Sequence, residues 1–331
     1  MAEEQRARHL ANPASAHLIQ YIDDAVRDVL PAGTRPIGIS ESGNSHWVRT
    51  AKLDTVDKNG KKTPFFLKAC YHVGKVYNSE KGKEASTAYE AMTVLYAAWP
   101  ELVPKPLAWG AYKSEKEVYF LMCQFVEISG EVPRVSDFPA LLARMHKKPG
   151  SKSPTGEFGF RTSTFEGRNP VEFPLTKTWE ETLTRSLMTA FEAEELTQGP
   201  DPEMRKLRKS LFSKVIPRLI RPLEAKGRRL EPTLCHGNLW DNNVSSDKIT
   251  GKPKVYNGTP VYAHNECKIR SRHHEYVFET HNWDLLTRDE LAPWFVRRHH
   301  MTDEYVKEYI KHYEVASPAA DFKDRGILYS L

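Results

Sequence analysis

The residues best placed to do chemistry lie in Leu234–Asn243, which reads Leu-Cys-His-Gly-Asn-Leu-Trp-Asp-Asn-Asn, and in Pro253–Gly258, which ends in Asn257-Gly258. Within them His236, Asn238, Asn243 and Asn257 are spaced like side chains presented by two loops. Three of the four are amides. An amide both donates and accepts hydrogen bonds, so it can orient a hydroxyl group. It cannot take a proton near neutral pH, as a carboxylate can. Far upstream, Lys68 follows the apolar run Phe65-Phe66-Leu67. A lysine there either offers a cation to an anionic ligand or snorkels from a strand edge.

The bulk composition narrows the setting. The chain has 331 residues, enough for one large domain or two lobes, with 40% hydrophobic and 27% charged residues. No apolar run approaches the ~20 residues of a membrane span, and the opening Met-Ala-Glu-Glu-Gln-Arg-Ala-Arg lacks the apolar core of a secretion signal. Cys70, Cys123, Cys235 and Cys267 are widely spaced, which suits reduced thiols in a cytoplasmic protein. A net charge of +5 suits an anionic small ligand. There is no charge block or basic–aromatic interleaving of the kind that marks nucleic-acid binding. No nucleic-acid or membrane partner is expected.

The elements that must position these residues follow from periodicity. Residues 17–30 have helical apolar spacing, closed by Pro31-Ala32-Gly33. Ile37–Leu53 reads as two strands around a turn, Ser40–Trp47, that contains Gly43, Asn44 and Ser45. Such a turn describes an ordinary hairpin as well as a loop over phosphates. Glu84–Ala98 is a helix, and Val118–Phe125 is a strand leading into a connector through Pro133. Ser136–His146, Trp179–Leu196 and Met204–Leu223 read as further helices, the last as one continuous element.

Taken together, the two loops resemble those of small-molecule kinases with the protein-kinase-like fold. His236-Gly237-Asn238-Leu239-Trp240 is similar to the His-Gly-Asp-Leu-Trp motif of the fructosamine kinase family, the ketosamine and protein-ribulosamine 3-kinases. Tyr262–Glu266 is similar to the segment after the second loop in that family's fungal branch. Phe65–Lys68, Val103–Gly110, Ser153–Phe160 and Pro217–Leu223 add ordered matches, so the resemblance runs from about Ile39 to the end.

The resemblance implies an α+β, two-lobed protein-kinase-like fold of the aminoglycoside phosphotransferase type, with an N-terminal lobe over 1–126 and a mainly helical lobe over 127–331. It implies ATP and Mg²⁺ as cofactors. It also implies phosphorylation of the sugar 3-hydroxyl of a small-molecule or protein-bound ketoamine, a glycated lysine. Lys68 would hold phosphates, with Gly43, Asn44 and Ser45 covering them and Met122 and Gln124 near the adenine. Asn238 would take the base position beside His236, and Asn243 and Asn257 the Mg²⁺ positions. Trp240 and Asp241 would face the acceptor. His264 and Glu266 would line its pocket or form a turn.

The departures are as informative as the matches. Asn238 and Asn257 stand where the family has Asp, and the glutamate expected to partner Lys68 is replaced by Ala88, with Glu84 and Glu90 poorly placed. A catalytically inactive pseudokinase that binds nucleotide or a glycated ligand is therefore one alternative. An enzyme of the aminoglycoside or choline kinase type is another. Asn257-Gly258 is also a deamidation-prone pair that could recover an acid. The polar segment 267–289 is an expected insertion. Replacing it with one Tyr restores a family-like Asn-Glu-Tyr-Glu-Leu-Ala-Pro-Trp, and its ends can be encoded by intron-like boundaries, so a retained intron is the expected origin. Family members run on beyond Leu331 into another apolar segment, and its lack would expose apolar surface.

Overall fold

The computed structural model describes residues 19–43, 48–72, 81–166, 169–267 and 300–329. Residues 44–47, which include Asn44 and Ser45, and residues 268–289 of the expected insertion lie outside the described residues.

The first helix among the described residues is short, α1 (Asp24–Asp28), less than the 17–30 read from periodicity. Its start is set by Asp23, whose carboxylate accepts from Ala25 N at 2.8 Å and from Lys113 N and Ser114 N at 2.9 and 3.0 Å. An N-cap tied to a distant turn cannot also be a mid-helix residue. Burial pushes the Asp23 carboxyl up, but these bonds and one from Ser114 Oγ prevail and hold it below the usual carboxylate range.

Five strands follow around one helix: β1 (Arg35–Glu41), β2 (Arg49–Val56), β3 (Phe65–Tyr71), α2 (Lys83–Ala98), β4 (Pro106–Ala111) and β5 (Val118–Gln124). They form an antiparallel sheet in the order β1-β2-β3-β5-β4. The period of two in β3 buries Phe65, Leu67 and Ala69 in one core and turns Lys68 to the opposite face, level with Thr50 and Leu121.

A helical body completes the chain. It holds α3 (Phe138–Lys147), the ribbon β6 (Thr164–Glu166) with β7 (Asn169–Val171), α4 (Trp179–Gln198), α5 (Pro202–Ser210) and α6 (Ile216–Leu219). Then come β8 (Thr233–Cys235), β9 (Val244–Ser246), β10 (Pro253–Val255), β11 (Val261–Ala263), α7 (Asp303–His312) and α8 (Phe322–Leu328). The single helix expected over Met204–Leu223 is broken: a π turn, Leu211–Val215, separates α5 from α6, and a 3-10 turn, Arg221–Glu224, follows. Pro217 has no N–H and its ring would press on the carbonyl of Ser213, so the widened turn lets the chain pass. Pro222 ends the run in the same way.

One apolar cluster joins the two bodies where the loops emerge. Met92, Leu95 and Trp99 from the end of α2 pack with Phe138 and Leu142 of α3, with Leu234, Leu239, Val244 and Val255 around the loops, and with Tyr305 and Tyr309 of α7. Each such large side chain, fully buried, contributes roughly 1.5–3 kcal/mol. The loops are thus seated on the sheet body's own helix.

Candidate functional site

β8 and β11 pair antiparallel, Cys235 opposite Val261, and β9 pairs with β10, Val244 opposite Val255. The loop after β8 and the turn after β10 therefore meet. Their approach requires glycine twice. Gly237 has φ +81°, and a Cβ there would lie 1.9 Å from the carbonyl oxygen of Thr259. A Cβ on Gly258 would come within 2.4 Å of Leu95. The His236 carbonyl accepts from Thr259 N at 2.9 Å, closing the crossing. His236 is fully buried and its Nδ1 accepts from Asn238 N at 3.3 Å, so it braces the loop.

The three amides bond to one another. Asn238 Nδ2 donates to the carbonyl of Asn257 at 3.2 Å. Asn243 Nδ2 donates to the carbonyl of Asn238 at 2.7 Å, and Asn257 Nδ2 donates to Asn243 Oδ1 at 3.4 Å. Asn257 adopts φ +59°, a left-handed conformation that asparagine tolerates better than most residues. Across the cleft Lys68 Nζ donates to Asn257 Oδ1 at 3.2 Å. Burial pushes the Lys68 ammonium below its usual value, with weaker opposing contributions from Cys70 and Cys123 and, among the described residues, none from a carboxylate.

The glutamates of α2 are engaged elsewhere. Glu84 meets His72 Nδ1 at 3.3 Å, and Glu90 bonds Arg161. Asn238 is 5% exposed, and its Oδ1 is a buried acceptor with no hydrogen-bond partner among the described residues. The amide orientation is fixed, because turning Oδ1 toward the Asn257 carbonyl would set two acceptors face to face.

Several expected site residues take other roles. Met122 is fully buried in the core beneath the sheet, so its side chain offers no surface to a ligand. Gln124 spends its N–H on the Lys105 carbonyl at 2.7 Å, within the pairing of the sheet edge. That connector is tied to β9: Ser129 N donates to the Ser246 carbonyl, and Gly130 N to Ser245 Oγ. Gly43 sits at the tip of β1 with φ +94°, as a tight turn requires. The Asp241 carboxylate accepts from His300 N at 2.7 Å and Met301 N at 3.2 Å.

His264 and Glu266 are likewise structural. Glu266 forms a buried ion pair with Arg325 (Nε to Oε2, 2.9 Å) and accepts from Ala316 N at 2.6 Å. Arg325 also donates to the carbonyls of Pro318 and Ala316. The His264 ring is within 3.0 Å of the Tyr329 hydroxyl, to which Trp179 Nε1 also donates. Burial, then the Arg325 charge, push the His264 imidazole down to about 3. Sequence alone missed Arg325 and Tyr329, because Arg325 follows Lys323 and Asp324 and reads as one more charge of a solvated helix start. Cys267, the first residue of the expected insertion, packs in the core of the helical body.

The residues do not fit a bound Mg²⁺. That ion takes oxygen lone pairs, usually including one or two carboxylates. Here the oxygen of Asn243 already receives an amide hydrogen and that of Asn257 faces an ammonium. No group of three or more His, Cys, Asp or Glu side chains suited to a metal occurs among the described residues. An anion fits better, since an ammonium has three donors and Lys68 spends one on Asn257.

Known proteins share this arrangement of strands, helices and loops. A structure described as a fructosamine-3-kinase from Haemophilus somnus superposes with a TM-score of 0.56 at 14% identity, covering 89% of this chain and 81% of that one. A thermostable mutant of an aminoglycoside phosphotransferase, in complex with AMP-PNP and hygromycin B, superposes with a TM-score of 0.50 at 11% identity, covering 89% and 84%. The fold is therefore protein-kinase-like, as the sequence suggested. Among curated sequences, chloroplastic protein-ribulosamine 3-kinases of Oryza sativa are 30% identical in subspecies japonica and 29% in indica, each over 151 residues. The matched stretch is 45% of this chain and 41% of those proteins, so the chain spans less than half the length of the relatives it matches. No helix among the described residues is long and apolar enough to cross a membrane. The profile of the fructosamine kinase family matches residues 54–277, most of the chain, and on that ground the protein belongs to the fructosamine kinase family.

Proposed function

We propose that this chain is a ketoamine kinase homologue that keeps the ligand-binding cleft of its family but transfers phosphate very slowly or not at all. The carrying observation is the closed set of bonds among Asn238, Asn243 and Asn257, with amides at positions 238 and 257 where carboxylates are needed. The nucleotide reading is supported by Lys68, which faces the loops with donors to spare, and by the AMP-PNP held by the similar phosphotransferase. Lys68 and the Gly43 turn would take the phosphates. The acceptor reading is supported by Asn238 Oδ1, a buried oxygen that a substrate hydroxyl can satisfy. That hydroxyl would be the 3-hydroxyl of a ribulosamine or fructosamine on a protein lysine; the name of the rice relatives gives protein ribulosamine and that of the family gives fructosamine. Asn238 can hold the hydroxyl but cannot remove its proton, a loss of roughly 10²–10⁴-fold in rate.

The test is single-turnover phosphorylation of a ribulosyl-lysine or fructosyl-lysine peptide. Wild type is compared with the Asn238→Asp/Asn257→Asp double variant at matched folded fraction. The variant is expected to be faster by ~10²-fold or more. Equal rates would mean that another group serves as base and that the reading of the amides is wrong.

A further inference from the structure

We propose that the cleft binds ATP without a divalent cation, the Asn257 amide standing where a metal would bridge the loops to the phosphates. The proposal rests on the nucleotide reading above and goes further, because it predicts what the missing carboxylates do to ligand choice.

The geometry points this way from two sides. A metal entering between Asn243 and Asn257 would have to turn the Asn257 amide over. That would break its bond to Asn243 Oδ1 and its contact with Lys68. The ion would gain only neutral oxygens, and it would sit beside an ammonium. Asp241, the acid in this loop, has its carboxylate turned to His300 N and Met301 N. An ammonium and a dication a few ångströms apart repel each other, so a dication here is opposed rather than held.

The second side is the anion. In a metal-dependent site a lysine is commonly balanced by a glutamate, and the cation neutralises the phosphates. Here Glu84 is turned to His72 and Glu90 to Arg161, and the hydrogen bond of Lys68 is to a neutral amide. No carboxylate among the described residues pairs with Lys68, so its ammonium is left to a ligand anion, which would favour the charged form that burial disfavours. Free ATP carries more negative charge than its Mg²⁺ complex and satisfies such a lysine better.

Calorimetric titration of the full chain with ATP decides the matter, run in EDTA and in excess MgCl₂ at equal ionic strength. The expected result is a Kd in EDTA equal to or tighter than in MgCl₂. Asn257→Asp is expected to reverse the order, with Mg²⁺ tightening binding about 10-fold or more, the usual scale for restoring a metal-site contact. Lys68→Gln is expected to abolish binding in both buffers. Tightening of wild-type binding by Mg²⁺ of about 10-fold would overturn the proposal and leave the nucleotide reading standing. No heat in either buffer, confirmed by the absence of methylanthraniloyl-ATP fluorescence enhancement, would overturn both. If Asn257→Asp fails to fold, the wild-type comparison alone still decides.

Discussion

Restoring the two family aspartates is not symmetrical, and Asn238→Asp is the costly half. In the wild type Asn238 Nδ2 donates to the buried Asn257 carbonyl at 3.2 Å, from a side chain that is 5% exposed. The loop cannot retreat, because Gly237 already lies against Thr259. An aspartate turns an acceptor oxygen toward that carbonyl, losing one buried hydrogen bond and confining a charge. Together these cost about 3 kcal/mol, or roughly 4–5 °C in Tm for a chain of this length. Asn257→Asp, by contrast, trades a long amide contact for an ion pair with Lys68 and is expected to stay within about 1 kcal/mol of wild type.

The pH dependence carries the sign. The new carboxyl is buried beside a carbonyl, so its folded pKa lies above its unfolded one. Relative stability is then complete below the unfolded pKa, where the protonated acid donates to Asn257, and is lost as pH rises through the folded pKa. Urea unfolding of Asn238→Asp and wild type across the mildly acidic range measures this. The gap should close as pH falls. Wild-type stability for the variant at neutral pH, or a gap that widens on acidification, would refute the argument that the amide bridge braces the loops.

Two further outcomes are expected. With His264 held at about 3 in the fold, the unfolded chain takes up a proton that the folded chain refuses, so stability falls as pH drops below the ordinary histidine range. The loss should be about 2 kcal/mol over the first 1.5 units below an unfolded pKa near 6.5. It should be largely absent in His264→Gln, measured by urea midpoints at both ends of that window. Deamidation at Asn257-Gly258 should be negligible in the folded protein and evident after incubation in urea. The Asn257 side chain is held at both ends, and Gly258 is wedged against Leu95 and His236. Peptide mass spectrometry that finds equal conversion in both states would show that these contacts do not restrain the amide.

Much of this site was legible because its signals are local. Lys68 on an alternating strand, the glycine beside His236, and asparagines where aspartates are usual can each be read from neighbouring residues. What lay hidden is non-local. Lys68 and Asn257 are 189 positions apart, and the roles of His264 and Glu266 depend on Tyr329 and Arg325. Periodicity also misled in two places. The apolar spacing through Leu211, Val215 and Leu219 continues across a π turn, so it masked the break that Pro217 announces. The apolar spacing over 17–30 outweighed Asp23, whose partners lie in the turn at Lys113. Met122 was legible as a strand residue, but the side of the sheet it faces was not.

The carboxylate of Asp241 fixes one more property of the chain. It takes the backbone of His300 and Met301, Met301 is fully buried, and the chain enters that region from Cys267, also buried. Departure and return points are thus anchored independently of how many residues join them. Closure entropy grows only with the logarithm of length, so shortening this connection about threefold changes stability by only about 1 kcal/mol. A variant lacking most of 268–289 keeps both anchors, and its melting temperature is expected to differ little from that of the full chain.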